Sequence, residues 1–279
     1  MEEAQPPEEQ TGASPSGDGA IAWRALGAGP PLLLINGYAG AKADWDPAFL
    51  ANLATRRRVI CPDNRGIGES PRGGEPITVE QLAADMLALL DDLGIDRLPV
   101  AGWSMGGFVT QTLAAAHPER VEATILIGTH PGGAITVNAE RGIFPALIDH
   151  SGTPREQARR LIGLLFPEPM ASQVDAQFGE LVADARAALD PATLLAQEDL
   201  MRAWHKDPSE ERLATLAASG MPLLCAHGAE DVVVPAANSD RIAAAIPGSW
   251  KAIFPGAGHA VMSSEPARLA AVIHTFLAE

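Results

Sequence analysis

Ser104 is the residue whose surroundings are most typical of a catalytic group. It stands at the centre of the segment Gly102-Trp103-Ser104-Met105-Gly106, which follows a short apolar run and precedes a helix-like pattern. Such a segment is typical of a sharp strand-to-helix turn that exposes a serine hydroxyl. We therefore predict Ser104 as a nucleophile. The backbone N–H of Met105 is one predicted donor to the oxyanion that its attack would create.

His259 is the predicted partner of this serine, because a serine hydroxyl is a poor nucleophile at neutral pH unless an imidazole accepts its proton. The chain has seven histidines. His259 lies in a glycine-rich loop between the last predicted strand and the last predicted helix. Open α/β sheets carry their ligand sites at that edge. His130 follows another predicted strand, and we predict that it lines the substrate pocket.

Asp231 is the carboxylate predicted to orient the imidazole of His259. It follows a predicted strand and precedes His259 by 28 positions. The chain order serine, aspartate, histidine is the one expected when the serine lies on a strand-to-helix turn. Glu230 is the competing carboxylate at this point of the chain.

The second half of the oxyanion site is predicted in the loop Asn36-Gly37-Tyr38-Ala39-Gly40, directly after a predicted strand. Its two glycines allow the backbone to approach the serine closely. The backbone N–H of Tyr38 is the predicted second donor to the oxyanion.

Strands and helices alternate in the elements that must position these residues. The apolar patterns predict strands at 21–26, 31–35, 59–62, 98–103, 124–127, 222–226 and 250–254. They predict helices at 47–54, 78–93, 105–116, 235–245 and 265–277. This alternation predicts an α/β fold with a mostly parallel central sheet and helices on both faces.

Residues 134–218 interrupt the alternation, because they show no strand pattern and are predicted to form helices at 154–165, 173–188, 191–205 and 208–218. We predict an inserted helical cap at 134–218 over a core made of 20–133 and 219–279. Trp103, Phe144 and Trp204 are predicted to complete an apolar substrate pocket.

Residues 1–19 are rich in Glu, Pro, Gly and Ser and poor in large apolar side chains. They bury too little apolar surface to offset the loss of chain entropy, so we predict a disordered acidic tail.

The formal net charge of −15 limits the classes of partner. An acidic surface repels nucleic acid and anionic membranes, so the predicted partner is a small molecule. Cys61 and Cys225 lie in apolar runs and are predicted to be buried free thiols. Neither a signal peptide nor a long apolar run is recognisable, so the expected location is cytoplasmic. Composition does not distinguish a monomer from a homodimer.

The glycine-containing loop at 63–70 lacks the glycine and lysine spacing of nucleotide-binding loops, which argues against a nucleotide site. We predict that Asp63 and Arg65 form a structural pair that fixes this loop.

Together these segments resemble the α/β-hydrolase family, in particular its capped esterases, lactonases and cofactor-free haloperoxidases. The resemblance covers residues 20–279. It rests on the motifs at 36–37, 63–70, 102–107, 228–231 and 258–259. It implies a catalytic triad of Ser104, Asp231 and His259 under a cap that shapes an acyl or lactone pocket.

Two positions refine the resemblance. The family usually has a histidine where this chain has Asn36, and that histidine helps to hold the oxyanion loop. Serine at position 104 argues against the dehalogenase and epoxide-hydrolase branches, which use an aspartate there.

The expected reaction is hydrolysis of an ester or lactone of a small, largely apolar substrate through an acyl-enzyme, with no metal or organic cofactor. The same residues would also serve hydrolysis of a carbon–carbon bond in a vinylogous keto acid, or perhydrolysis of a carboxylate. A ligand-binding protein that kept the fold without turnover is an alternative of a different class.

Overall fold

The computed structural model describes residues 9–17 and 19–278. Its centre is an eight-stranded sheet in the order β1-β2-β4-β3-β5-β6-β7-β8. The strands are β1 Glu9–Ser16, β2 Gly19–Leu26, β3 Pro31–Ile35, β4 Arg58–Pro62, β5 Leu98–Trp103, β6 Val121–Ile127, β7 Leu223–Gly228 and β8 Trp250–Phe254. The helices are α1 Pro47–Ala54, α2 Val79–Asp92, α3 Met105–Ala116, α4 Ile143–Leu147, α5 Pro154–Leu165, α6 Met170–Ala187, α7 Pro191–Lys206, α8 Glu210–Ser219, α9 Ala237–Ala245, α10 Val261–Ser264 and α11 Pro266–Phe276.

The strands from β4 to β8 in the sheet order pair in parallel, whereas β1 and β2 run antiparallel at one edge. Central strands such as β5 are short, apolar and almost wholly buried, as expected when helices cover both faces of a parallel sheet. The prediction of a mostly parallel α/β sheet is confirmed.

Apolar side chains fill the space on both sides of the sheet. Along β3, Leu33 and Ile35 pack into one cluster while Leu32 and Leu34 pack into the other, because successive side chains of a strand point to opposite faces. The first cluster includes buried residues of α2, α3 and α9, and the second includes those of α1 and α11. This arrangement holds the carboxyl ends of the parallel strands at one common edge.

The segment between β6 and β7 forms the helices α4 to α8 and no strand, as predicted. Leu200, Met201 and Trp204 of α7 are buried in the same apolar cluster as α3. Leu213 and Leu216 of α8 belong to this cluster as well, so the helical segment is packed on the core through α7 and α8. In the part of the chain that the structure describes, no helix is both long and apolar enough to cross a membrane.

The prediction of a disordered tail is wrong for residues 9–16, which form β1; residues 1–8 lie outside the described chain. β1 pairs along its whole length with β2. Its side chains add two polar contacts, from Trp23 Nε1 to Ser14 Oγ at 3.1 Å and from Ser16 Oγ to Asp85 at 2.6 Å. A polar strand is held here by backbone pairing and buried hydroxyls, which amino-acid composition does not reveal.

Asp63 and Arg65 do not pair with each other, so that prediction is wrong. Asp63 accepts a hydrogen bond from Lys42 Nζ at 2.6 Å. Arg65 instead donates to both carboxylate oxygens of Asp85, at 2.6 and 2.8 Å. The loop at 63–70 is thus fixed by ion pairs of Asp63 and Glu69 with Lys42 and by the ion pair of Arg65 with Asp85.

Cys61 and Cys225 are buried free thiols, as predicted. Burial raises the pKa of each to about 12, so neither forms an appreciable thiolate at neutral pH.

Replacing Asp85 with Asn tests the contribution of the buried ion pair. Asp85 is fully buried and also accepts from Ser16 and Gln81. We expect a loss of about 3–5 kcal/mol in unfolding free energy, because the buried Arg65 guanidinium loses the negative charge of the Asp85 carboxylate. Denaturant unfolding measures the loss. Asp240→Asn breaks the exposed pair with Lys251 and should cost less than about 1 kcal/mol; equal losses would contradict the interpretation.

Candidate active site

Ser104 lies at the turn that joins β5 to α3, with φ 54° and ψ −120°. Among the described non-glycine residues only Ala39 shares a positive φ, and such a conformation costs of order 1–2 kcal/mol. The turn is tight enough that a β-carbon on Gly102 would lie 2.2 Å from the carbonyl oxygen of Gly106. Glycine is required at position 102 because the strand and the helix approach so closely.

Asp231 and His259 form a buried pair. His259 Nδ1 lies 2.7 Å from Asp231 Oδ2, and the two residues are 2% and 6% exposed. The loops after β7 and β8 bring them together, as the common carboxyl edge of parallel strands requires. Glu230, the competing carboxylate, is exposed. The carboxylate beside the imidazole is therefore that of Asp231.

The other oxygen of Asp231 fixes the direction of its carboxylate. Oδ1 accepts the backbone N–H groups of Val233 and Val234 at 2.9 and 2.8 Å. Burial by itself raises the pKa of Asp231, but the charges and hydrogen bonds of His259 and His227 outweigh it and lower that pKa to about 2. Asp231 is thus an anion at neutral pH, and it favours the tautomer of His259 that carries its proton on Nδ1.

His227 supports the same carboxylate from within the core. Its Nε2 lies 2.8 Å from the Val234 carbonyl oxygen and 3.3 Å from Asp231 Oδ2. Its Nδ1 lies 2.9 Å from Ser239 Oγ. The sequence does not predict His227 as part of the site, because a histidine directly after an apolar strand does not indicate which residues it will contact.

Gly128 brings the serine close to this pair. Ser104 N–H donates to the Ile127 carbonyl at 2.9 Å, and Thr129 Oγ1 donates to the Ser104 carbonyl at 2.8 Å. A β-carbon on Gly128, between those two residues, would lie 3.4 Å from His259 Nδ1. Ser104 and His259 are not joined by a hydrogen bond in the structure. Catalytic hydrogen bonds often form only when substrate is bound.

The loop at 36–40 packs against Ser104 from the other side. A β-carbon on Gly37 would lie 3.1 Å from the β-carbon of Ser104. Within the described chain, the backbone N–H groups of Tyr38 and Met105 have no hydrogen-bond partner. Two unused donors beside a serine hydroxyl are what an oxyanion site needs.

The side chain of Asn36 stabilises this loop through two hydrogen bonds. Its Nδ2 donates to the Ala41 carbonyl at 2.7 Å, and its Oδ1 accepts the Gly37 N–H at 2.8 Å. Asn36 is 1% exposed, and Asn64 Nδ2 donates to its carbonyl at 3.1 Å. The carboxamide supplies one donor and one acceptor to the loop, so the loop is held without the histidine that is usual at this position.

A cavity of about 280 Å³ opens at Ser104. Its lining includes the predicted pocket residues His130 and Phe144, and in addition Phe108, Met201 and His205. The other walls come from the loop at 136–142 and from 233–235. The cavity thus lies between the core and the helical segment.

Trp103 and Trp204, which the sequence predicted as pocket residues, are not among the residues that line this cavity. Trp204 is 2% exposed and stacks on Phe108 with ring centroids 4.7 Å apart. Trp103 instead lies beside His259, and its indole N–H donates to the His259 carbonyl at 2.9 Å. Trp204 thus packs against Phe108 of the cavity wall, and Trp103 contacts His259.

His130 reaches the cavity as a neutral side chain. Its Nδ1 accepts the Gly132 N–H at 3.2 Å, which leaves the ring proton on Nε2. Phe108 contacts its ring edge-on and His205 stacks on it, with centroids 4.7 and 4.8 Å away. Burial, with a smaller contribution from nearby histidines and Arg212, lowers the pKa of His130 to about 3.

No group of three or more His, Cys, Asp or Glu side chains within residues 9–17 and 19–278 is arranged to hold a metal ion. The arrangement around Ser104 contains a hydroxyl, an imidazole–carboxylate pair and two free backbone donors. Those groups suffice for nucleophilic attack on a carbonyl carbon.

Comparisons with known proteins show the family to which this fold belongs. The model of the alpha/beta hydrolase fold family matches residues 30–266. A putative carbamate hydrolase, RutD, from Azorhizobium caulinodans is 30% identical over 254 residues, which cover 90% of this chain and 92% of that protein. A thermophilic esterase from Thermogutta terrifontis superimposes with a TM-score of 0.79 at 25% identity, over 96% of this chain and 98% of that one.

A meta-cleavage product hydrolase from Pseudomonas fluorescens IP01 has a TM-score of 0.83 at 22% identity, covering 96% of this chain and 97% of that one. This likeness shows the fold alone.

Replacing His130 with Asn tests the burial of its neutral ring. The pKa of His130 is about 3 in the folded chain and about 6.5 in the unfolded chain. Between these two pH values the unfolded chain therefore binds a proton at His130 and the folded chain does not. Stability due to this group is therefore lost as the pH falls from 6.5 towards 3. Between pH 6.5 and 4.5 the original chain should lose about 2 kcal/mol more unfolding free energy than His130→Asn.

Denaturant unfolding at the two pH values measures this difference. His117→Asn, at an exposed histidine, controls for the change of residue type. Parallel pH profiles of the original chain and His130→Asn would contradict a buried neutral His130.

Proposed function

The chain belongs to the α/β-hydrolase family, and from this membership we propose that it is a serine hydrolase that cleaves a carboxylic ester or lactone of a small, largely apolar substrate. The observation that carries the proposal is the buried Asp231–His259 pair beside the strained turn that presents Ser104. The likeness to an esterase at 25% identity supports the choice of an ester.

In the proposed reaction, Ser104 Oγ attacks the carbonyl carbon of the substrate while its proton passes to His259 Nε2. The carbonyl oxygen takes up the negative charge and is stabilised by the N–H groups of Tyr38 and Met105. His259 then gives the proton to the leaving alkoxide, which departs as an alcohol and leaves the acyl group on Ser104. Asp231 stabilises the imidazolium during both transfers.

A water molecule completes the proposed cycle. His259 accepts its proton as it attacks the acyl carbon, and then protonates Ser104 Oγ when the acyl–oxygen bond breaks. The products are a carboxylic acid and the regenerated hydroxyl. Every proton transfer in this cycle is made by residues of the chain or by water.

The cavity beside Ser104 is the proposed acyl pocket. A volume of about 280 Å³ suits a small acyl group, and Phe108, Phe144 and Met201 give it apolar walls. The helical segment that supplies several of these walls is proposed to act as the cap, at 134–218.

A carbamate is the second candidate substrate. The relative from Azorhizobium caulinodans carries the description of a putative carbamate hydrolase at 30% identity. A carbamate carbonyl would be attacked by the same serine with the same oxyanion. The two candidates therefore differ in the atom attached to the carbonyl carbon, which is nitrogen in a carbamate and carbon in an ester, and not in the catalytic residues.

Replacing Ser104 with Ala should abolish turnover of the preferred substrate, with kcat falling by about 10⁵–10⁶-fold, because the nucleophile is lost. A panel of short p-nitrophenyl esters, lactones, carbamates and vinylogous keto acids measures this in the original chain and the variant. A fluorophosphonate probe should label only the original chain. Unchanged activity in Ser104→Ala would contradict the proposal. If a vinylogous keto acid were turned over fastest, the proposed reaction would be hydrolysis of a carbon–carbon bond and not of an ester.

Replacing Asp231 with Asn should lower kcat by about 10⁴-fold without unfolding the chain. The asparagine oxygen can still accept from Val233 and Val234. Its NH₂ group, however, would face His259 Nδ1 and favour the wrong imidazole tautomer. Steady-state kinetics with thermal unfolding as a folding check test this. Glu230→Gln, at the exposed neighbour, should retain the original kcat; an equal loss there would contradict the assignment of Asp231.

A further inference from the structure

Ala39 is a strained residue in the loop that carries the proposed oxyanion donor. Its φ is 59°, and the Gly40 N–H donates to the Gly37 carbonyl at 3.3 Å to close a turn around it. A positive φ at the third position of a turn is typical of a type II turn, which favours glycine there. An alanine pays a steric cost in this conformation that glycine does not, so the turn needs support from outside the loop.

Gln197 of α7 supplies that support. Its Oε1 accepts the Ala39 N–H at 2.8 Å, across 158 positions of sequence. Gln197 is fully buried, so water does not compete for this hydrogen bond. The Ala39 N–H belongs to the central peptide of the turn, whose orientation distinguishes a type II turn from a type I turn. Gln197 therefore selects the direction of that peptide.

Glu198, the next residue of α7, holds the adjacent side chain. Its Oε1 accepts the Tyr38 hydroxyl at 3.1 Å and lies 2.6 Å from His150 Nε2. Burial, together with the Glu198 carboxylate, raises the pKa of the Tyr38 phenol, so the hydroxyl remains a donor. Arg202 Nη2 lies 3.2 Å from Glu198 Oε2. The Glu198 side chain is 3% exposed.

We propose that Gln197 and Glu198 are positioning residues for the oxyanion site, acting through Ala39 and Tyr38. This inference rests on the proposed function, because it concerns the loop whose Tyr38 N–H would stabilise the oxyanion. The helical segment then has a role beyond lining the cavity: the packing of α7 on the core sets the shape of the oxyanion loop. Turnover therefore depends on that packing.

A purely structural role for Gln197 makes a different prediction. If its hydrogen bond only fastened α7 to the core, its loss would lower thermal stability and leave the rate of the chemical step unchanged. An oxyanion donor acts in the transition state more than in the bound substrate, so its displacement lowers kcat and leaves KM nearly unchanged. The division between kcat and KM separates the two roles.

The test replaces Gln197 with Met, which keeps the length of the side chain and removes the acceptor. We expect the acylation rate, measured as the burst of p-nitrophenol from the best ester, to fall about tenfold with KM within about twofold of the original. Gln81→Met is the matched control, because Gln81 donates a half-buried amide hydrogen bond to Asp85 within α2. It should lower stability and leave the acylation rate unchanged.

Ala39→Gly provides the rescue. Glycine adopts a positive φ without the steric cost of alanine, so the turn should keep its shape without help from α7. In the Gln197→Met background it should restore the acylation rate to within about threefold of the original. Rescue through the backbone of Ala39 is not expected if Gln197 only stabilises the packing of α7.

Tyr38→Phe tests the Glu198 contact independently, should Gln197→Met fail to fold. It removes the hydroxyl and keeps the backbone N–H, and a several-fold fall in the acylation rate with unchanged KM is expected. The role of Gln197 is overturned if Gln197→Met acylates as fast as the original chain. It is also overturned if Ala39→Gly does not restore the acylation rate that Gln197→Met loses. The role of Glu198 is overturned if Tyr38→Phe acylates as fast as the original chain.

Failure of the proposed function gives a different result. In that case the original chain itself neither turns over the panel nor reacts with the fluorophosphonate at Ser104. Activity in the original chain together with an unaffected Gln197→Met contradicts only the positioning role.

Discussion

The backbone crossing between β5 and α3 is the constraint on which the rest of the site depends. A positive φ at Ser104 persists because its N–H and carbonyl are bonded to residues on each side of Gly128. The close approach of Gly102 and Gly106 leaves no room for a relaxed turn. The strain is thus balanced by the packing of a buried parallel sheet, and it places the serine hydroxyl at the edge where the other loops converge.

Electrostatics at that edge are arranged around one buried carboxylate. Asp231 would be costly to bury alone, but two backbone N–H groups and the imidazole of His259 donate to it, and His227 lies within 3.3 Å. These contacts keep it ionised and fixed in direction. A fixed carboxylate in turn holds His259 in the tautomer that can accept a proton from a hydroxyl. His227 in the core and His259 in its loop therefore both stabilise the Asp231 carboxylate.

The helical segment is tied to the site through α7. Trp204 packs behind Phe108 and donates to the His130 carbonyl, while Gln197 and Glu198 meet the loop at 36–40. One helix thus contacts both the cavity wall and the loop at 36–40 beside Ser104. Displacement of α7 would alter both, which couples the shape of the cavity to the geometry beside Ser104.

Local patterns were sufficient for the sheet, the serine turn and the Asp231–His259 pair, because apolar periodicity and glycine spacing are properties of short segments. Contacts between distant segments were not. The ladder that orders β1, the exchange of partners that sends Arg65 to Asp85, and the burial of Trp204 behind Phe108 all join residues far apart in sequence. Residue types and their spacing along the chain were enough to identify the chemical groups at the sheet edge. The side chains that hold those groups in place are known from the folded chain alone, because hydrogen-bond partners and burial depend on packing that no short segment contains.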